Sequence, residues 1–128
     1  MDFAKPKKIF IVDDDSMLTE ALKDYLTRKV AHNVTSFLTG EDCLKKLAET
    51  PDVIILDYYL NTVQKDAANG IEILQAIRKH YPNIRVIMLS SQERYSIAMK
   101  TIQKGAEQYV IKDENAFEKI AQIIDAMS

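Results

Sequence analysis

Three neighbouring carboxylates, Asp13, Asp14 and Asp15, are the first residues of the chain that could do chemistry, and they directly follow the apolar run IFIV. Like charges on adjacent positions repel each other, and burial without partners raises carboxyl pKa values or requires a counter-ion. Clustered carboxylate oxygens are ligands for a hard cation, and Mg²⁺ typically uses one or two of them together with waters and phosphate oxygens. The run therefore indicates a cation site at the end of a strand.

Reactive side chains also follow three later apolar runs. They are Asp57 after residues 53–56, Ser90 and Ser91 after residues 84–89, and Lys112 after residues 109–111. In open α/β sheets, ligands bind outside the carboxyl ends of the strands, so these groups converge if their strands are neighbours. A lysine and a metal ion neutralise charge on transferring phosphoryl oxygens, which lets a carboxylate act as a nucleophile toward phosphorus. Asp57 stands alone at its strand end and suits this role better than the crowded trio.

The elements that must position these groups are strands that alternate with helices. Short apolar runs rich in β-branched residues predict strands at residues 9–12, 33–37, 53–56, 84–89 and 109–111, the second of them weaker and near an edge. The other four are predicted to be buried on both faces, which is typical of a parallel sheet. Apolar residues at helical spacing fill the intervals, and the second helix is predicted to open at Gly40 and to continue through Leu44, Leu47 and Ala48. This order predicts an α/β fold with a doubly wound parallel sheet, and it leaves only residues 58–69 unassigned.

The composition predicts one domain over residues 1–128. At this length, folding buries roughly two-thirds of the unfolded surface, so a core can form without disulfides. The single cysteine, Cys43, is expected to be a small buried hydrophobe and indicates a reducing, cytoplasmic location. A net charge of -2 without a basic stripe disfavours direct binding to nucleic acid. No apolar run approaches the roughly twenty residues of a membrane span, so we expect no membrane contact.

Several pieces of the sequence, taken in order, resemble the receiver domains of two-component response regulators, of the chemotaxis CheY type. They are IFIVDDDS, TGEDCLKKL, PDVIILDYYL, GIEILQAIRK, VIMLSS and KGAEQYVIK, and they span essentially the whole chain. The resemblance implies a five-stranded sheet in the order 2-1-3-4-5 with five helices. It also implies a role in signal transduction, in which a phosphorelay domain accepts a phosphoryl group from a phosphohistidine donor and switches conformation to control an output partner.

The same resemblance implies a role for each site residue. Asp57 matches the phosphoacceptor, and Asp13 and Asp14 match the acidic pair that binds Mg²⁺ together with Asp57 and the backbone carbonyl of Tyr59. Ser90 matches the hydroxyl that bonds a phosphoryl oxygen, and Lys112 matches the lysine that pairs with the phosphoryl group. Tyr109 matches the aromatic switch. Tyr109 also fits a plain core position on the fifth strand, and the two roles are compatible.

The implied partners are a sensor histidine kinase or histidine phosphotransfer protein and a downstream output domain or protein. Phosphorylation is expected to bias a surface formed by the fourth helix, fifth strand and fifth helix, through which a homodimer can form. Such a domain is not an enzyme acting on a separate substrate, although it assists its own phosphorylation and dephosphorylation. Lys112 followed by Asp113 resembles receivers that precede helix-turn-helix output domains, which favours a place at the N-terminal end of a longer chain.

The residues after Asp57 depart from the family pattern. The positions of the family's proline and glycine hold Asn61 and Lys65, and Gly70 arrives five residues late, so the loop beside the site is longer. Tyr59 stands two positions after Asp57, where side chains of the family influence attack by water on the aspartyl phosphate. We expect its ring to hinder that water and to slow dephosphorylation.

Three other functions stay open on the residues. A haloacid-dehalogenase-type phosphatase would use Asp13 as its nucleophile in an Asp-x-Asp pattern completed by Asp15, although the chain lacks room for a cap. A flavodoxin-like electron carrier would need a hydroxyl- and glycine-rich loop where the aspartates stand. A receiver-like binding module would work without phosphorylation. For Asp15 we expect a structural role as the cap of the first helix.

Overall fold

Strands and helices alternate along the chain in a computed structural model that describes residues 5–60, 68–91 and 94–127. The strands are β1 (Lys8–Val12), β2 (Asn33–Phe37), β3 (Val53–Asp57), β4 (Arg85–Ser90) and β5 (Gln108–Ile111). The helices are α1 (Ser16–Leu26), α2 (Gly40–Leu44), α3 (Gly70–His80), α4 (Tyr95–Gln103) and α5 (Ala116–Ala126), with a 3₁₀ turn at Leu47–Glu49. Within the described ranges, no helix is long and apolar enough to cross a membrane.

The strands form one parallel sheet in the order β2-β1-β3-β4-β5, which confirms the predicted fold class. The register aligns Val12 of β1 with Leu56 of β3, and Asp57 of β3 with Leu89 of β4. The strands therefore end at the same edge of the sheet, and the residues that follow them meet there.

Strand β1 contributes to two apolar cores, one on each face of the sheet. Ile9 and Ile11 pack in the core that includes residues of α1 and α5, whereas Phe10 and Val12 pack in the core that includes residues of α2 and α3. All four side chains are fully buried. Because side chains alternate across a strand, one that is covered on both faces must be apolar at every position. This requirement explains the unbroken apolar run that precedes the aspartates.

Two details of the fold differ from the predictions. The prediction that the fifth strand is buried on both faces is wrong, because Tyr109 and Ile111 are only half-buried, although Val110 between them is buried. The second helix is also shorter than predicted and ends at Leu44. There the backbone N–H of Lys46 donates to the carbonyl of Cys43, a contact over three residues that tightens the chain into a 3₁₀ turn.

Cys43 is fully buried, which confirms its predicted place in the core. Burial raises the pKa of its thiol to about 12. The thiolate is the reactive form of cysteine, so this thiol is chemically inert near neutral pH.

Candidate functional site

Three carboxylates meet at the carboxyl edge of the sheet. Asp13 and Asp14 follow β1, Asp57 ends β3, and one oxygen from each lies within 4.8 Å of the others. Asp13 is 1% exposed and Asp57 is 2% exposed, whereas Asp14 is half-buried. The structure thus brings together the acidic residues that the sequence placed at two separate strand ends.

Lys112 joins two of these carboxylates from the end of β5. Its ammonium nitrogen Nζ lies 2.9 Å from Oδ2 of Asp13 and 3.2 Å from Oδ1 of Asp57. Burial by itself lowers the pKa of Lys112, but the hydrogen bonds and negative charges of the two aspartates outweigh burial and raise it. The ammonium therefore stays protonated, and it is a fixed positive charge at the centre of the cluster.

This environment raises the pKa of Asp57. Burial is the main cause that raises its pKa, and the negative charge of Asp13 adds to the effect. The Lys112 ammonium and the backbone N–H of Tyr59 act in the opposite direction, and the resulting pKa of Asp57 is about 7. A single ammonium among the clustered carboxylates leaves the site short of positive charge.

The cluster fits a hard divalent cation. Oδ1 of Asp13 accepts a hydrogen bond from the backbone N–H of Asp15 at 2.9 Å. Oδ2 of Asp13 is buried and has the Lys112 ammonium as an ion-pair partner at 2.9 Å, yet it accepts no hydrogen bond of regular geometry from the described residues. Oxygen donors, excess negative charge and an incompletely satisfied buried oxygen are the properties of a site for Mg²⁺ or a similar ion.

Asp15, the third member of the trio, turns away from this cluster. It is the N-cap of α1, and its Oδ1 accepts hydrogen bonds from the backbone N–H groups of Met17 at 3.1 Å and Leu18 at 3.2 Å. The prediction that Asp15 is structural is confirmed.

Ser90 and Tyr109 are hydroxyl-bearing residues of β4 and β5, the two strands that follow β3 in the order of the sheet. Ser90 is fully buried at the end of β4, and its backbone carbonyl accepts a hydrogen bond from the N–H of Lys112 at 2.8 Å. The side chains of Ser90 and Tyr109 are hydrogen-bonded to each other. Burial raises the pKa of Tyr109, and the bond from Ser90 partly offsets that rise. Ser91, the other hydroxyl after β4, is exposed.

Tyr59 lies two residues after Asp57, in the segment that follows β3. Its backbone N–H donates to Oδ1 of Asp57 at 3.3 Å, and its ring lies edge-on to that of Tyr58 with the centroids 4.8 Å apart. The departures from the family pattern at Asn61 and Lys65 lie outside the described residues. The backbone of Tyr59 therefore lies next to the Asp57 carboxylate.

Gly70 touches the strand that carries Asp57, a contact that the sequence reasoning missed. Its N–H donates to the carbonyl of Tyr58 at 2.9 Å, and a Cβ at this position would lie 2.3 Å from the carbonyl oxygen of Asp57. Asn69 before it is the N-cap of α3 and forms a capping box with Glu72. The Asn-Gly pair indicated a turn, but only the folded chain shows that α3 starts against β3.

The family model described as the response regulator receiver domain matches residues 9–125. The chain belongs to the response regulator receiver family. Receivers of this family lie in two-component signalling proteins, and the doubly wound fold with its acidic edge agrees with that membership. Membership also argues against the phosphatase and flavodoxin alternatives.

Individual proteins and solved structures are similar to this chain over most of its length. It is 30% identical over 113 residues to the response regulator protein VraR of Staphylococcus saprophyticus, an alignment that covers 87% of this chain and 52% of VraR. It is 29% identical to the chemotaxis protein CheY of Thermotoga maritima, over 83% of this chain and 85% of CheY. The solved structure of the BeF3-activated DrrB receiver domain matches with a TM-score of 0.80 at 30% identity, and the match covers 93% of this chain and 94% of that domain.

The receiver spans about half the length of several curated relatives, with 52% for VraR and 46% for the probable C4-dicarboxylate response regulator DctR of Bacillus subtilis. The match to CheY, in contrast, covers most of both chains. The family therefore includes relatives much longer than this chain and relatives of similar length.

Proposed function

We propose that this receiver accepts a phosphoryl group on Asp57 from a phosphohistidine donor, in a Mg²⁺-dependent reaction, and switches conformation to control an output partner. The proposal depends mainly on the groups that surround Asp57. It is a buried carboxylate at a strand end, with the Lys112 ammonium 3.2 Å from Oδ1 and two further carboxylates beside it. Membership in the receiver family supports the same function.

Asp57 acts as the nucleophile in this proposal. One of its carboxylate oxygens attacks phosphorus, and the bond from phosphorus to the histidine nitrogen breaks, with its electron pair left on the imidazole. Lys112 stabilises the negative charge on the transferring oxygens because its ammonium already lies next to Asp57. Since the pKa of Asp57 is about 7, the reactive carboxylate is fully populated only above neutral pH or when further positive charge is close.

The groups that would hold Mg²⁺ are the carboxylates of Asp13, Asp14 and Asp57 and the backbone carbonyl of Tyr59. When bound, Mg²⁺ supplies positive charge that neutralises the phosphoryl oxygens. The chain itself fixes the orientation of Asp13, since the N–H of Asp15 holds Oδ1 and the Lys112 ammonium holds Oδ2. The receiver thereby assists its own phosphorylation and dephosphorylation without being an enzyme for a separate substrate.

Ser90 and Tyr109 are proposed to respond to the phosphorylation state. A phosphoryl group on Asp57 attracts the Ser90 hydroxyl, which is now hydrogen-bonded to Tyr109. The Tyr109 ring then has to take a new position on β5, and this changes the surface formed by α4, β5 and α5. This surface is the proposed contact for an output partner or for a second copy of the receiver.

The wider setting follows from the same proposal. The donor is a sensor histidine kinase or a histidine phosphotransfer protein, and the reaction takes place in the cytoplasm. Residues 1–128 form a single receiver domain, which we propose to be the N-terminal part of a longer response regulator. The lengths of relatives such as VraR support this last point, because the match covers only 52% of that protein.

The test is the intact mass of the protein after incubation with acetyl phosphate and Mg²⁺, for the parent and for Asp57→Ala. We expect a mass increase of one phosphoryl group on the parent and no increase on the variant. An adduct on both proteins would contradict the assignment of Asp57, and no adduct on the parent would favour the receiver-like binding module.

A further inference from the structure

The first turns of α2 and α3 are packed closely together. Gly40, the first residue of α2, lies so near Ile73 of α3 that a Cβ at position 40 would be 2.2 Å from Cγ1 of Ile73. The Thr39 side chain caps α2 by accepting a hydrogen bond from the N–H of Asp42 at 3.2 Å. The start of α2 is therefore fixed both by its own cap and by contact with α3.

From this position Glu41 reaches the residue that leads into α3. Oε2 of Glu41 accepts a hydrogen bond from the backbone N–H of Ala68 at 2.9 Å, across 27 residues of sequence. Ala68 directly precedes Asn69, the N-cap of α3, and a carboxylate next to a helix N-terminus is also favoured by the helix dipole. Glu41 thus ties α2 to the residue that leads into α3.

The start of α3 in turn contacts the end of the strand that carries Asp57. Two residues after Ala68, Gly70 donates its N–H to the carbonyl of Tyr58 at 2.9 Å. On the other side of that carbonyl, the N–H of Tyr59 donates to Oδ1 of Asp57 at 3.3 Å. A short series of backbone contacts therefore connects the Glu41 carboxylate to the peptide units beside Asp57.

We propose that Glu41 is a positioning residue for the phosphoacceptor site, which holds the chain at Ala68 and thereby fixes the Tyr58–Tyr59 backbone against Asp57. The inference rests on the proposed function of Asp57 and extends it to a residue on a helix outside the acidic cluster. Glu41 acts through a hydrogen bond, so a neutral acceptor of the same length should replace it.

The experiment compares Glu41→Ala and Glu41→Gln with the matched control Asp42→Ala. Asp42 is on the same exposed turn of α2, and its nearest cation among the described residues is Lys45 at 3.8 Å, so its removal makes the same change in charge without the cross-link. Three quantities are measured on the full chain: Mg²⁺ affinity by NMR titration, hydrogen exchange of the Gly70 and Tyr59 amides, and the rate of phosphorylation by acetyl phosphate.

We expect Glu41→Ala to weaken Mg²⁺ binding and slow phosphorylation by about 3- to 10-fold, which is the range that one net hydrogen bond can supply. Exchange of the two amides should be faster in the same variant. Glu41→Gln should stay within about 2-fold of the parent, because its side-chain carbonyl still accepts the bond. Asp42→Ala should match the parent in all three measurements.

Two results would overturn the inference. If the Glu41→Ala variant behaves like Asp42→Ala, Glu41 has no positioning role. If the Glu41→Gln variant behaves like Glu41→Ala, the effect comes from the charge of Glu41 and not from its hydrogen bond. Either result leaves the function of Asp57 intact. A parent protein that binds no Mg²⁺ and gains no phosphoryl group overturns the proposed function instead, and amide exchange then still decides whether Glu41 anchors the chain.

Discussion

At the scale of single residues, the ionisation of Asp57 links the site to the stability of the fold. Its pKa is raised from 3.8 to about 7, so the folded state binds this proton more tightly than the unfolded chain. The stabilisation from the protonated form is complete below the unfolded pKa of 3.8 and is lost as pH rises through about 7. A buried, charged Asp57 therefore destabilises the metal-free protein at alkaline pH.

We predict that Asp57→Asn stabilises the metal-free receiver at pH 8 by about 1–3 kcal/mol in the free energy of unfolding, and that this gain shrinks toward pH 5. Asparagine keeps the shape of the side chain and removes the charge, and Lys112 retains Asp13 as its partner. Urea unfolding in EDTA at both pH values measures the effect. Asp42→Asn, which changes an exposed carboxylate, serves as the control and should show no such pH dependence. A less stable Asp57→Asn at pH 8 would contradict the prediction.

The ring of Tyr59 is the second feature at this scale. Its backbone N–H is bonded to Asp57, the proposed phosphoacceptor, and its ring packs edge-on against the ring of Tyr58. We predict that Tyr59→Asn loses its phosphoryl group about 2- to 10-fold faster, because less bulk excludes the attacking water. The decay of the phosphorylated mass at constant Mg²⁺ gives the rate. Tyr59→Phe keeps the ring and should decay at the parental rate, and an asparagine variant that decays no faster would refute the role of the ring.

At the scale of elements, the first residue of α3, Gly70, lies in close contact with the end of β3. Alanine is favoured over glycine in a helix by about 1 kcal/mol, so propensity alone predicts that Gly70→Ala stabilises the protein. A Cβ at this position would meet the backbone of Asp57 and Tyr58, at 2.3 Å and 2.7 Å, and backbone cannot rotate away. We expect the clash to prevail, with a net loss of about 1–3 kcal/mol and slower phosphorylation.

Gly40 offers the comparison for this prediction. The three atoms nearest to a Cβ there would all belong to the side chain of Ile73, the nearest at 2.2 Å, and a side chain can adjust its rotamer. Gly40→Ala should therefore lower stability less than Gly70→Ala does, and it should leave the phosphorylation rate closer to that of the parent. The order of the two variants in urea unfolding decides the point, and the reverse order would show that α3 can move away from β3.

The elements also show what could be predicted from the sequence. Strand β2 was predicted at residues 33–37 and lies at Asn33–Phe37, and the carboxylates and the lysine at strand ends do meet at one edge. These features depend on local patterns and on a general rule of parallel sheets. The early end of α2 was missed because a change from α to 3₁₀ hydrogen bonds leaves the apolar spacing unchanged. The bond from Ala68 to Glu41 was missed because it joins residues 27 positions apart.

At the scale of the whole molecule, the acidic edge couples cation binding to folding. The ends of three strands, β1, β3 and β5, supply its charges, so the carboxylates are close together only in the folded chain. A cation that binds them therefore stabilises that state. At ten times the dissociation constant the gain is about 1.4 kcal/mol. The same negative charge that costs stability without a cation is the charge that attracts one.

We predict that Mg²⁺ at this concentration raises the melting temperature of the receiver by about 3–6 °C at pH 7.5. The rise should be smaller at pH 5.5, because protons occupy Asp57, whose pKa is about 7, and compete with the cation. Calorimetric scans with Mg²⁺ and with EDTA at both pH values measure the difference. Asp14→Asn removes one ligand of the cluster and should abolish most of the rise at pH 7.5. The rise in melting temperature depends on pH only if proton and cation compete for the same carboxylates. An equal rise at the two pH values, or a rise in melting temperature that persists in Asp14→Asn, would therefore place the bound cation elsewhere on the molecule.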